Sequence, residues 1–163
     1  KLNFHLPKTI QPIAWATLIG GLLFLVVEQG IKGRPGSTRI TWGIALGMAV
    51  GQLLAIAFPG ASRSGTTILI ALILGLSRPA AAEFSFLVGI PTLLAAAGKE
   101  TLDAIKDQTP HEPWSILALG TAVSAIAAFA VVRWLLGYVQ HHNFKPFGWY
   151  RILVGGAILA LLR

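Results

Sequence analysis

Long apolar runs set the first limit on what this chain can become. Ile10–Val27, Ile40–Phe58, Ala81–Gly98, Trp114–Leu136 and 148–162 follow one another, separated by more polar stretches and by one shorter apolar run, Gly65–Leu76. Most are close to the length that crosses a hydrocarbon core of about 30 Å at about 1.5 Å per residue. Inside a bilayer the backbone finds no water partner, so such runs must satisfy their own N–H and C=O groups as helices. The composition agrees: of 163 residues, 55% are hydrophobic and 12% charged, with mean hydropathy +0.71. That is far more apolar than a soluble domain. The sequence predicts an all-α polytopic membrane protein in a single unit. About four transmembrane helices are expected over 10–27, 81–98, 114–136 and 148–162, plus one re-entrant helix hairpin over 40–76.

Charge bears on partners and orientation. A net charge of +7 raises nucleic acid as a partner, but in a chain this apolar it reads instead as basic loops meeting anionic lipid headgroups. No nucleic-acid partner is expected. The loop Glu28–Arg39 carries Lys32, Arg34 and Arg39, and the stretch 133–151 is also basic; Lys99–Pro113 is net acidic. The first two then face the cytoplasm and the third faces outward. With no cysteine, a disulfide framework and thiol chemistry are excluded. Lys1–Thr9 reads as a polar lead-in.

One stretch departs from the apolar pattern: Pro59-Gly60-Ala61-Ser62-Arg63-Ser64-Gly65-Thr66-Thr67. An arginine between two apolar runs is costly in a membrane and calls for a partner or a function. Its neighbours suit phosphate: glycines admit close backbone approach, hydroxyls donate, and guanidinium matches phosphate oxygens bidentately. The run after it reads as a helix, whose N-terminus points free N–H groups at an anion. Gly65–Leu76 is too short to cross, so it pairs with Ile40–Phe58 as the re-entrant hairpin, the stretch 59–67 at its tip. Such backbone is tolerated at membrane depth only where it lines a cavity.

The signature Pro59-Gly60-x-Ser62-Arg63-Ser64-Gly65-x-Thr67 resembles that of the bacterial undecaprenyl-diphosphatases of the bacitracin-resistance type. The resemblance continues through Arg78-Pro79-Ala80-Ala81-Ala82-Glu83-Phe84-Ser85-Phe86-Leu87, Ile90-Pro91 and Phe144-Lys145-Pro146-Phe147-Gly148-Trp149-Tyr150-Arg151. It implies a multi-pass protein of the bacterial inner membrane that hydrolyses undecaprenyl diphosphate to undecaprenyl phosphate and phosphate. That reaction recycles the lipid carrier for peptidoglycan synthesis and confers bacitracin resistance. The family's first half, with its Glu-x-x-x-Glu motif followed by Pro, Ser, Ser and His, has no counterpart here. The chain, which begins at Lys1, therefore reads as the C-terminal portion, expected to be inactive alone.

The resemblance assigns Arg63, Ser62 and Ser64 to catalysis, with Arg63 clamping the diphosphate. Gly60, Gly65 and Thr67 are assigned to substrate binding, and Gln52, one to two turns before the tip, joins them because it can reach a polar group beside the site. The nucleophile, the general base and the carboxylate ligands for a divalent cation (Mg or Ca) are expected from the absent half, with no metal ligand in this chain. The implied partners are the prenyl diphosphate lipid, membrane lipids and the absent N-terminal half; a homodimer is compatible. Gln52, Ile56, Pro59 and Ser62 repeat the spacing of the family's first motif, with the second carboxylate replaced by an apolar residue. That echo resembles half of an inverted repeat, a transporter device, and keeps a lipid-carrier transporter or flippase open as the alternative. A structural bundle with a glycine-rich kink is the third reading.

Structural explanations stand beside these assignments. Arg63 can snorkel or pair. Ser62, Ser64 and Thr67 can cap a helix or bond back to a carbonyl, Thr66 can pack, and Gln52 can bond between helices. Glu83 is expected to pair with Arg78. His141-His142 reads as a solvated loop, since adjacent histidines do not share a helix face; His5 and His111 read as loop residues. Trp15, Trp42, Trp114, Trp134 and Trp149 fall at segment ends, as an aromatic belt does.

Overall fold

The computed structural model describes residues 10–106 and 113–162. They form six helices: α1 (Ile10–Gly30), α2 (Trp42–Ala57), α3 (Arg63–Ile73), α4 (Arg78–Lys106), α5 (Trp114–His141) and α6 (Lys145–Leu161). The all-α membrane architecture expected from the apolar runs is present. Helices α1, α4 and α5 are long and apolar enough to cross a membrane. Helix α6, at 17 residues, reaches about 26 Å.

Several elements run further than the hydropathy pattern indicated. Helix α1 takes in Glu28, Gln29 and Gly30, which had read as loop. Helix α4 continues through Lys99–Lys106, and α5 reaches His141. A helix persists past its apolar stretch because each added residue gains a backbone bond at little cost; hydropathy marks the buried part only. On α4 the polar extension carries a Lys99–Asp103 pair four residues apart, 2.9 Å between charged atoms. The expectations for Lys1–Thr9, His5 and His111, and the 107–112 part of the acidic stretch, lie outside the described residues.

Two antiparallel pairs form the framework. Helix α1 packs along α6, and small residues set the spacing: a Cβ on Gly21 would lie 2.7 Å from the carbonyl of Gly148, and one on Gly155 2.9 Å from that of Ala14. Without a hydrophobic drive between helices in lipid, close backbone approach is the main source of attraction. Helix α2 packs on α3 differently, with the Leu74 and Ile70 side chains seated over Gly47 and Gly51. Helices α2 and α3, 16 and 11 residues long, are each shorter than a crossing. Helix α3 also touches α1 and α4, so it lies at the centre, and α5 contacts only α4 closely. The core is built from Phe24, Met48, Leu72, Ala81, Ala82 and their neighbours.

A buried carboxylate ties three helices at one end. Glu28, 1% exposed, accepts from Arg78 Nη2 at 2.6 Å and from Arg78 Nε at 3.0 Å. It also accepts from the backbone N–H of Phe144 at 2.9 Å, at the start of α6. A negative charge there opposes the positive end of the α6 dipole. This corrects the expected Arg78–Glu83 pair: Arg78 turns to Glu28, and Glu83 stays exposed on the outer face of α4. Beside this tie, Ser37 and Ser77 fasten the α1–α2 loop to the α3–α4 turn; Ser77 N donates to Ser37 O at 2.8 Å and Ser37 N to Gly75 O at 2.9 Å.

Candidate functional site

The 59–67 stretch forms the sharp connection between α2 and α3. Helix α2 stops at Phe58, whose N–H still bonds to Leu54 O; Pro59 cannot continue the ladder. Gly60 follows with φ +91°, and a Cβ there would meet Ile13 O at 2.6 Å. Both facts require glycine. Ser62 then caps α3: its side chain accepts from Gly65 N at 3.2 Å. It does so at φ +61°, the only non-glycine residue with positive φ among those described. A serine held in that region stores on the order of 1–3 kcal/mol of backbone strain, so surrounding contacts must over-determine the turn.

Those contacts come from α1 and α6. Arg151, 6% exposed, donates through Nη2 to Gly60 O at 3.0 Å and to Ala16 O at 3.4 Å. Its guanidinium carbon also lies 6.0 Å from the centre of the Phe147 ring. Thr17 Oγ1 reaches the same Gly60 carbonyl at 3.4 Å. A Cβ on Gly20 would lie 2.6 Å from Arg151 Nη2, so Gly20 is the notch that admits the guanidinium. Arg151 belongs to the expected α6 entry motif, but nothing in its own sequence surroundings marks it as the support of a loop ninety-one positions away.

On the other side of the turn, a cavity of about 530 Å³ opens between α2, α3, α4 and α5. Gln52, Arg63, Ser64, Thr67 and Ser85 line its polar end; Phe86, Ile90, Leu93, Phe129 and Val132 are among its apolar walls. Arg63 Nη1 donates to Thr92 Oγ1 at 3.1 Å, and a Cβ on Gly89 would be 3.8 Å from its Nη2. Arg63 makes no ion pair among the described residues, which leaves most of its guanidinium for an anion. Ser64 Oγ makes no hydrogen bond among the described residues. Gln52, 6% exposed, donates Nε2 to Val88 O at 3.3 Å, while its buried Oε1 has no partner.

Thr67 is differently placed. Its hydroxyl shares a 2.6 Å hydrogen bond with Ser85 Oγ and lies 3.0 Å from both Arg63 O and Ser64 O. It ties α3 to α4 beneath the cavity. Thr66 turns its hydroxyl back to Ala61 O and Ser62 O. Of the seven residues singled out from sequence, Gln52, Arg63, Ser64 and Thr67 line the cavity, whereas Gly60, Ser62 and Gly65 shape the turn behind it. Ser85, Thr92 and Arg151 were missed as site residues. Ser85 stood inside the recognised Arg78–Leu87 stretch, and an i, i+7 polar stripe on α4 from Ser85 to Thr92 was the available signal.

The donor set suits an anion. It offers guanidinium, hydroxyl and amide groups, and among the described residues no carboxylate, imidazole or thiol lines the cavity. Among the described residues no three His, Cys, Asp or Glu side chains cluster as metal ligands would. These residues do not fit a divalent cation, which takes carboxylate oxygens, so no step here is routed through one.

Comparison with known proteins gives the same direction. The family description "Bacitracin resistance protein BacA" matches residues 2–157. A protein of Xylella fastidiosa named undecaprenyl-diphosphatase is 46% identical over 164 residues, covering 99% of this chain and 63% of the relative. Proteins of the same name from Rhizobium etli, 46% identical, and Xanthomonas euvesicatoria, 45% identical, each match 99% of the chain and 62% of their own length. The chain thus spans somewhat over three-fifths of the curated relatives it matches. With a family match over nearly its whole length, the chain belongs to the bacitracin resistance protein BacA family.

Proposed function

We propose that this chain supplies the diphosphate-binding part of an undecaprenyl-diphosphatase, which hydrolyses undecaprenyl diphosphate to undecaprenyl phosphate and inorganic phosphate. The observation that carries this reading is the cavity itself: Arg63, Ser64 and Gln52 stand at the polar end of an apolar chamber between helices. A prenyl diphosphate has the same two-part character. Arg63 clamps the diphosphate and offsets the charge that grows on the leaving phosphate, the type of interaction that lowers a phosphoryl-transfer barrier. Ser64 donates to a phosphate oxygen. Gln52 holds α4 through Val88. Ser62, Gly60 and Gly65 keep the turn in shape, with Thr67 and Ser85 bracing it from below.

In this reading α2 and α3 form a re-entrant hairpin whose tip reaches mid-membrane. The nucleophile, the base and any carboxylates for a divalent cation belong to the further segment that the relatives contain. The recycled carrier phosphate serves peptidoglycan synthesis, and its supply underlies bacitracin resistance.

The test is release of inorganic phosphate from a prenyl diphosphate in detergent, by this chain and by a full-length form carrying the relatives' N-terminal segment. The full-length form should release phosphate and the chain alone should not. A full-length form that binds the lipid and liberates no phosphate would instead favour a transporter, since transport breaks no bond.

A further inference from the structure

A second cavity lies at the other end of α3, roughly 15 Å along its axis from Arg63 at about 1.5 Å per residue. Its volume is about 410 Å³, within the range of about 300–1,000 Å³ typical of small-ligand pockets. Arg34, Arg78, His141, His142 and Asn143 line it, together with backbone of the α3–α4 turn. Among the described residues no carboxylate lines it. Arg34 forms no ion pair among the described residues. Arg78 gives Nε and Nη2 to Glu28, and its Nη1 makes no bond among the described residues.

Three aromatic residues fix the depth of this cavity. Trp134, Tyr138 and His142 stack along the last turns of α5, with ring centres 5.6 Å and then 4.3 Å apart. Trp134 is exposed on the outer face of the helix, where Trp and Tyr mark headgroup level. His142 closes the stack at the rim of the cavity. Its Nδ1 lies 3.2 Å from Tyr138 O; a carbonyl can only accept, so Nδ1 carries a hydrogen, and in the imidazolium form Nε2–H is left to donate to an anion. The basic loops at this end of the helices are the ones that face anionic cytoplasmic lipid under the positive-inside rule.

We propose that this cavity is a binding site for the phosphate of an anionic phospholipid headgroup, held by Arg34, the free Nη1 of Arg78 and His142. It is separate from the Arg63 cavity and does not depend on the hydrolytic reading. The loop 31–41 forms one wall, fastened by the Ser37–Ser77 backbone pairing, so the pocket is shaped before a lipid arrives.

Native mass spectrometry of the protein in detergent, with equal phosphatidylglycerol and phosphatidylcholine, tests this. The wild type should retain phosphatidylglycerol preferentially. Arg34→Ala/His142→Ala should lower that preference about tenfold or more, the scale of losing a direct hydrogen bond to a charged group. Lys32→Ala/Arg39→Ala, which removes two charges from the same loop outside the cavity, should leave it within about twofold. Circular dichroism establishes that each variant is folded. Displacement of the lipid by excess inorganic phosphate would keep the phosphate site and assign it to the free ion. Equal retention of both lipids by the wild type, or an equal loss in both variants, would overturn the proposal.

Discussion

Arg151 on the last helix donates to the carbonyl of Gly60 at 3.0 Å, so the strained turn is held from behind by a residue that does not line the Arg63 cavity. Removing the guanidinium takes its bonds from the Gly60 and Ala16 carbonyls and leaves Gly60 O the longer 3.4 Å contact with Thr17. A hydrogen bond to a charged group contributes about 1.5–3 kcal/mol, and Arg151→Ala should lower stability by about that amount in a detergent melting experiment. Gly20→Ala should act on the same contact by pushing Nη2 aside. The two substitutions combined should therefore cost clearly less than their sum. Simple additivity would show that Gly20 serves packing alone.

Ser62 offers a sharper comparison because its cap and its backbone pull in different directions. Replacement by alanine removes the bond to Gly65 N and keeps a Cβ at φ +61°; losing such a cap costs about 1 kcal/mol. Replacement by glycine also loses the bond but relieves the strain. Ser62→Gly should thus be the more stable of the two variants in a denaturant or thermal titration. The reverse order would mean that the turn is not strained in solution.

Glu28 and Arg78 should behave as a coupled pair. Arg78→Ala leaves a carboxylate, 1% exposed, with only the Phe144 N–H for company. Arg78 itself is 30% exposed, so the lower end of the range for a broken buried pair applies, about 3 kcal/mol. Replacing both residues with leucine should cost less than Arg78→Ala alone, since no charge is then left buried. A double-mutant cycle on thermal stability reads this directly; a coupling near zero would make the contact incidental.

These three relationships differ in how far the sequence could announce them. The helices were legible because apolar runs of bilayer length admit little else. The turn was legible because Pro-Gly and Gly-Thr-Thr bracket an arginine that lipid does not tolerate idly. Gln52 was singled out from its spacing to the turn, and it lines the cavity. The Glu28–Arg78 tie was not legible. Hydropathy placed Glu28 in a loop, and a carboxylate five positions from Arg78 in sequence looked nearer than one fifty positions away. Arg151 was hidden for a similar reason: its partner is a backbone carbonyl, which has no sequence identity, and its notch is a glycine that reads as ordinary helix packing.

Arg63 is the residue on which the proposed chemistry turns, and its surroundings make the test clean. Its side chain contributes one exposed hydrogen bond to the fold, to Thr92 of α4, so Arg63→Ala should change melting by little, within about 0.5 kcal/mol as for surface positions. In a full-length form, loss of a charge-stabilising group should lower kcat/KM for a prenyl diphosphate by roughly 100- to 1,000-fold, about 3–4 kcal/mol of barrier. Arg63→Lys keeps the charge but not the planar fork and should recover only part of that loss. Thr92→Val removes the hydroxyl that orients the guanidinium and should give a smaller decrease of the same kind. If all three variants turned over like the wild type while remaining folded, the 59–67 turn would be architecture, and the chemistry would lie with residues beyond this chain.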